Sequence, residues 1–213
     1  MKLILTAVEA ELAVAWRSFC GDLDFVQIHN GSILDVACDA IVSPANSFGF
    51  MDGGVDAAYL RYFGPGLQDT VRRVITQRHN GEMLVGTADI VETGCEQIPY
   101  MIVAPTMRVP MVLIDSVNVY LAARATFLLV TQQVFQSGPE CGRPIAEKVH
   151  SLALPGLGTG VGQIGLNTCA SQVRAAIDDV LLDRYTPPRS WAEASQRHQA
   201  LYTGHFRRLQ RGE

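Results

Sequence analysis

The chain contains no Cys-x-x-Cys pair: its five cysteines (Cys20, Cys38, Cys95, Cys141 and Cys169) are odd in number and widely scattered. Neither a zinc ribbon nor a thioredoxin-like redox pair is indicated, and the thiols read as small buried hydrophobes. The five histidines (His29, His79, His150, His198 and His205) include no His-Glu-x-x-His arrangement, so no protein-bound metal and no cofactor are expected. A secretory signal is missing as well, since the opening MKLILTAVEAEL has one lysine and an apolar run broken by Glu9 and Glu11. The longest apolar region, Val117 to Val130, is interrupted by Asn118 and Arg124 and is too short to span a bilayer. These features predict a cytoplasmic protein with no membrane partner. An excess of positive charge is lacking too. Seventeen basic residues against 21 acidic ones leave −4, which argues against a dedicated nucleic-acid binder. No internal repeat is visible, and the 19 glycines have no triplet period, which excludes a collagen-like chain.

What remains is a chain of 213 residues, 48% hydrophobic and 18% charged, long enough for one large domain with a substantial core. Lys2 to Thr6 reads as a short apolar edge strand, and Glu9 to Cys20 as a helix carrying Leu12, Trp16 and Phe19 on one side. Asp24 to Ile28 and Ala40 to Val42 read as buried strands. Pro44 to Gly54 holds a proline, an asparagine and three glycines and must be a shaped loop. Helices are expected from Val55 to a stop at Gly64 and from Leu67 to Gln77. Ala88 to Val91 and Tyr100 to Ala104 read as strands. Asp115 to Gln136 reads as a long helix capped by Asp115 or Ser116. Val149 to Leu154 is a further apolar run. Leu166, Cys169, Ala170, Val173, Ile177, Val180 and Leu181 then recur at helical spacing. Strands alternating with helices predict an α/β layered domain with a largely parallel sheet.

Beyond Asp183 the composition changes. Pro187-Pro188 breaks the chain, and six arginines against Glu193 and Glu213 give residues 184–213 a net +4. The division expected is a domain over residues 1–183 and a polar helical extension over 184–213. The extension reads as a solvated helix packing Trp191, Leu201 and Phe206 on the core, with binding to an acidic partner as the alternative.

Two glycine-rich segments carry the chemistry. Val149 to Gly165 runs strand, glycine loop, helix, with five glycines between Gly156 and Gly165. Such a backbone turns sharply, and its bare N–H groups form a concavity for a phosphate or diphosphate. Gly160 to Gly165 spells Gly-x-Gly-x-x-Gly, but no following strand is visible to complete a dinucleotide-binding βαβ unit. There is no Gly-x-x-x-x-Gly-Lys-Ser/Thr. The second segment, Val42 to Ala57, brings Asn46 to a strand end, where its planar amide suits sugar hydroxyls. Gly53 and Gly54 follow at a helix start, flanked by Asp52 and Asp56, either of which could simply cap that helix.

Together these residues resemble the macro domain family over about Ile28 to Leu182. Asp39-Ala-Ile-Val-Ser-Pro-Ala-Asn46 is similar to the family's strand and asparagine turn. Gly53-Gly-Val-Asp-Ala-Ala58 is similar to its first glycine loop, and Pro155-Gly-Leu-Gly-Thr-Gly-Val161 to its phosphate-binding loop. The resemblance implies a three-layer α/β/α sandwich around a mixed, largely parallel sheet. It also implies ADP-ribose, or a related nucleotide, in a cleft at the strand ends. Asn46 would then contact the distal ribose. Gly53, Gly54 and Val55 would line one side of the diphosphate, and Leu157, Gly158, Thr159, Gly160 and Val161 the other. In the family's hydrolytic branch the aspartate after the first loop is catalytic, and Asp56 occupies that place, with Asn46 expected to share the catalytic role.

Three departures stand out. Gly31-Ser32-Ile33 occupies the position where the family often has Gly-Asp-Ile, whose aspartate holds the adenine amino group. Gly162 stands where an aromatic residue often faces the distal ribose, a surface for which Phe48 and Phe50 are the candidates, and Met51-Asp52 interrupts the glycine run. Two functions are open: hydrolysis of an ADP-ribosyl linkage, with an ADP-ribosylated protein as substrate, and non-catalytic reading of ADP-ribose. A third, single-stranded nucleic-acid binding, is opposed by the acidic core. Arg108, between two prolines, reads as either a phosphate contact or a surface salt bridge.

Overall fold

The computed structural model describes residues 1–207. The strands are β1 (Lys2–Ala7), β2 (Val26–Asn30), β3 (Ala40–Ser43), β4 (Asp89–Cys95), β5 (Ile98–Val103) and β6 (Ser151–Leu154). The helices are α1 (Ala10–Cys20), α2 (Gly54–Phe63), α3 (Gly66–Arg78), α4 (Asn118–Gln132), α5 (Leu166–Ala176) and α6 (Trp191–Ala200). The strands form one six-stranded sheet in the order β2-β1-β6-β3-β5-β4, in which only β4 runs antiparallel to its neighbour.

Alternation along the strands sorts side chains to the two faces. Leu3, Leu5, Val42, Leu152 and Leu154 point to one face, where α1, α4 and α5 bring Trp16, Phe127 and Val173. Ile4, Ile41, Met101 and Ala153 point to the other, beneath Tyr59 of α2 and Val71 and Ile75 of α3. The result is a three-layer α/β/α sandwich, as the alternation of strands and helices implied. Trp16 is fully buried and still satisfies its indole, Nε1 donating to the Thr6 carbonyl at 3.2 Å. The Tyr59 hydroxyl does the same to the Val42 carbonyl at 2.9 Å.

Three expectations need correction. β1 is not an edge strand: it pairs with β2 on one side and β6 on the other, and Leu3 to Ala7 are all buried. An unbroken apolar run is what burial on both faces of a parallel sheet demands, and the edge position belongs to half-buried β2. α4 is shorter than expected at both ends. Neither Asp115 nor Ser116 occupies its cap: Val117 does, without a side-chain bond, and Ser116 Oγ accepts from Asn118 N only at 3.4 Å. Its last turn stops where Gln133 extends, because the Gln133 carbonyl is taken by Ile145 N at 3.0 Å.

The third correction concerns the extension. α6 is capped by Ser190, whose Oγ accepts from Glu193 N, while Glu193 accepts from Arg189 N. Trp191 and Phe206, expected on the core, are 67% and 53% exposed. Polar groups make the attachment instead. Gln172 of α5 donates to the Leu201 carbonyl at 3.2 Å, while within the extension buried Gln199 accepts from Arg207 N at 2.6 Å. Residues 208–213 of the extension, with Glu213, lie outside the described residues.

Candidate functional site

β1, β6, β3 and β5 are mutually parallel neighbours, so the segments leaving their carboxyl ends emerge on one edge of the sheet. There they enclose a cleft of about 410 Å³. The sheet order sets the order of its walls. Ser32, Ile33 and Leu34 after β2, with Thr6 to Glu9 and Leu12 after β1, close one end. Gly158 to Gly162 after β6 face Gly53 to Asp56 after β3 in the middle. Asn46 and Phe50, with Thr106, Met107 and Pro110 after β5, close the other end.

The first loop is shaped mainly by one side chain. Asn46 Nδ2 donates to the Phe50 carbonyl at 2.7 Å, while Oδ1 accepts from Phe48 N at 3.1 Å and Phe50 N at 3.3 Å. An asparagine bonding its own following backbone is a turn builder. Gly49 is required in that turn: its φ is +70°, and a Cβ there would lie 2.8 Å from Ile75 Cδ1 and 2.9 Å from Val71 Cγ1. Met51 is buried among the α2–α3 side chains and its N–H donates to Gln68 at 2.8 Å. The Met51-Asp52 interruption therefore pins the loop to the core. Gly54 opens α2 at φ +57°, and a Cβ there would meet nothing within 4 Å, because that side is the cleft.

The second loop is held by its own backbone and by Leu113. Ile164 N donates to the Gly158 carbonyl at 3.2 Å, Gln163 N to Gly160 at 3.0 Å, and Leu113 N to Gly162 at 2.8 Å. Gly162 admits no larger residue, since a Cβ would sit 2.5 Å from the Gly158 oxygen. That packing is why no aromatic stands there. Among the described residues, no backbone carbonyl accepts from the N–H groups of Thr159, Gly160 and Val161. The N–H groups of Gly54, Val55 and Asp56 in the first turn of α2 are free for the same reason every helix start is. Two sets of unpaired amides thus border one cleft, at the end of a helix with positive partial charge.

Asp56 is the one buried carboxylate in this cleft, 7% exposed. Ser43 Oγ donates to its Oδ1 at 2.7 Å. Oδ2 has no partner but is not enclosed, because the sole enclosed and unpartnered side-chain atom among the described residues is His29 Nε2. Burial pushes the carboxyl up to about 6, and the Ser43 hydrogen bond opposes that rise. Tyr59, buried and close to the Asp56 charge, has its hydroxyl held well above the usual tyrosine range and stays neutral. Neither Asp52 nor Asp56 caps α2, whose N-cap Gly53 has no side-chain cap bond.

The cleft brings together Ser32, Ile33, Asn46, Gly53, Gly54, Val55, Asp56 and Gly158 to Gly162. Leu157 is not among them: its side chain is wholly buried in the α1–α4–α5 core. Arg108 is paired with Glu82 and lies over the Phe48 ring, away from the cleft. Of the two phenylalanines, Phe50 reaches the cleft, with the Arg72 guanidinium 4.6 Å above its ring. Sequence reasoning missed Thr6 to Glu9, Leu12, Thr106, Met107 and Pro110. Placing β1 at the sheet edge concealed the first group, whereas an interior parallel strand would have pointed its carboxyl end at the site. Among the described residues no group of three His, Cys, Asp or Glu side chains is arranged to hold a metal ion.

The model of the Macro domain matches residues 42–173, spanning both glycine loops and the strands that present them. This chain belongs to the macro domain family. An uncharacterized protein of Aquifex aeolicus is 30% identical to it over 155 residues, 73% of this chain and 80% of the relative. Another, from Aeropyrum pernix, is 30% identical over 146 residues, 68% of this chain and 67% of the relative. Among solved structures, the macrodomain of Mycobacterium tuberculosis DarG superposes with a TM-score of 0.53 at 18% identity, covering 70% of this chain and 88% of the other. The Oceanobacillus iheyensis macrodomain with ADP gives 0.55 at 19% identity, covering 70% and 72%. A mutant of that macrodomain with ADPR also gives 0.55, at 18% identity, covering 78% and 83%. At these identities the superpositions establish the macro domain fold. Among the described residues, no helix of this macro domain is long and apolar enough to cross a membrane.

Proposed function

We propose that this macro domain binds ADP-ribose along the cleft and hydrolyses an ADP-ribosyl linkage, with an ADP-ribosylated protein as the substrate class. The observation that carries the reading is the pairing of two amide-bearing glycine loops, on adjacent parallel strands, across one cleft with a buried carboxylate beside them. Four interstrand spacings separate β2 from β5, so the cleft crosses roughly 19 Å of sheet, enough for an extended base–ribose–diphosphate–ribose. The family and the Oceanobacillus iheyensis structures, with ADP and with ADPR, support the ligand class. The diphosphate lies between Gly53–Val55 and Gly158–Val161, the base toward Ser32 and Ile33, and the distal ribose toward Asn46 and Asp56.

In the reaction, the oxygen of a water forms a bond to C1 of the distal ribose. The bond from that carbon to the modified side chain breaks, and its electron pair leaves with the side chain. The Asp56 carboxylate takes the proton lost by the water. A base near 6 is mostly ionised at neutral pH yet retains more basicity than an exposed aspartate, which favours general-base work of about 10²–10⁴-fold. Asp56→Ala should keep ADP-ribose affinity within a few-fold by calorimetry while abolishing release of ADP-ribose from modified protein. Undiminished turnover would remove Asp56 from the mechanism. One observation favours a second reading, a non-catalytic ADP-ribose reader: both polar ends of the Asn46 amide are already engaged in its own loop. ADP-ribose binding by the unmodified protein, without product release from any modified substrate, would select it.

A further inference from the structure

Ser32 is committed to its own turn. Its Oγ accepts from Leu34 N at 3.2 Å and caps the short helical turn Ile33–Asp35, so it is a poor second acceptor for a ligand. The chain before it is pinned to β1, Gly31 N donating to the Ala7 carbonyl at 2.8 Å. The residues that continue from β1, Val8 and Glu9, line the same end of the cleft as Ser32. Glu9 sits at the N-cap of α1, and its side chain makes no cap hydrogen bond. Among the described residues it forms no ion pair. An ionised carboxylate is an acceptor only. Here it stands exposed at the rim of the cleft, beside exposed Val8, over walls that include buried Leu12 and Ile33 and half-buried Leu34. Apolar walls with one unspent acceptor suit a flat heteroaromatic ring that presents an amine at its edge.

We infer that Glu9, and not Ser32, reads the nucleobase: its carboxylate accepts a hydrogen bond from the 6-amino group of adenine and thereby sets the base specificity of the cleft. The inference rests on the proposed orientation, base toward Ser32. Glu9 is a specificity residue and takes no part in the reaction proposed at Asp56.

The test is a binding cycle by calorimetry with two ligands, ADP-ribose and its analogue in which unsubstituted purine replaces adenine, so that only the 6-amino donor is lost. A hydrogen bond to a charged group corresponds to roughly a tenfold loss or more when its donor is removed. The wild-type protein should therefore bind the purine analogue about tenfold more weakly than ADP-ribose. E9A should bind the two within about twofold of each other. E9Q, which keeps an acceptor but not the charge, should discriminate by an intermediate factor, and S32A should discriminate like wild type. Wild-type discrimination retained in E9A, lost in S32A, or missing from the wild-type protein would each overturn the assignment. Failure of the wild-type protein to bind ADP-ribose at all would overturn the proposed function, and this inference with it.

Discussion

Asp56 is ionisable and almost wholly enclosed, so its charge costs stability at the pH where its chemistry would be used. Its carboxyl rises from an ordinary 3.8 to about 6. At 1.36 kcal/mol per unit, two units correspond to about 3 kcal/mol between the protonated and ionised forms. The sign follows from linkage. Because the folded protein holds this proton more tightly than the unfolded chain, the contribution is fully present below 3.8 and is lost as pH rises through about 6. Above that value the native state carries a desolvated carboxylate, held mainly by the 2.7 Å hydrogen bond from Ser43. Asp56→Asn keeps the shape and an acceptor for Ser43, and removes the charge at every pH. The variant should therefore exceed wild type at pH 8 by up to about 3 kcal/mol, a rise in melting temperature of roughly 6–12 °C for a chain of this length. The gain should shrink to nothing near pH 4. Paired melting curves across pH 4–8 measure it. A constant offset between the two proteins, or a less stable variant at pH 8, would refute the account of Asp56. Under the proposed hydrolysis, turnover by the wild-type protein should fall as pH drops through about 6, because a protonated carboxyl cannot accept a proton from water.

The other two predictions concern the first glycine loop and the buried thiols. Gly54→Glu meets no neighbouring atom, so the cost to folding should be limited to about 1–2 kcal/mol for a side chain at φ +57°. Its carboxylate would project into the diphosphate seat, and ADP-ribose affinity should fall below detection in calorimetry; retained affinity would show that the diphosphate lies elsewhere. For the thiols, burial raises Cys20, Cys38 and Cys169 to about 12, whereas Cys141 is exposed. Maleimide should label Cys141 first and leave those three untouched until denaturant is added; mass spectrometry of the native protein showing prompt labelling at Cys169 would contradict the packing of α5.

Much of the fold was legible because its signals are local. Ala40 to Val42 reads as a strand since three apolar residues fit only between two layers. The helix from Gly54 to its stop at Gly64 announces both ends with glycine, the second at φ +94°. The loops were legible for the same reason, since a concentration of glycine at a strand-to-helix junction has few uses. What escaped was set by partners distant in the chain. Lys2 to Ala7 gives no sign that β6, almost 150 residues later, will cover its second edge, so β1 was placed outside and its contribution to the cleft was lost. Trp191 was assigned to the core on hydrophobicity, yet the contact that fastens the extension is made by Gln172, a polar residue with no such signal. Likewise Leu157 lies in the glycine loop and turns inward because α1, α4 and α5 converge beneath it.

The loop after β3 shows how a residue can be rightly singled out for a reason the structure changes. An asparagine at a strand end offers a planar amide to a sugar, and Asn46 does line the cleft. Its oxygen and one of its amide hydrogens are nevertheless consumed by Phe48 and Phe50, which leaves one N–H for any ligand. Met51 and Gly49 anchor the same turn from beneath. In the proposed diphosphate seat, then, recognition would fall chiefly to main-chain amides, with side chains serving to hold those amides still. Three carboxylates, Glu9, Asp52 and Asp56, line the same cleft. A carboxylate facing a doubly charged diphosphate weakens binding unless it has a separate task. Reading the base and activating water are the tasks proposed for Glu9 and Asp56.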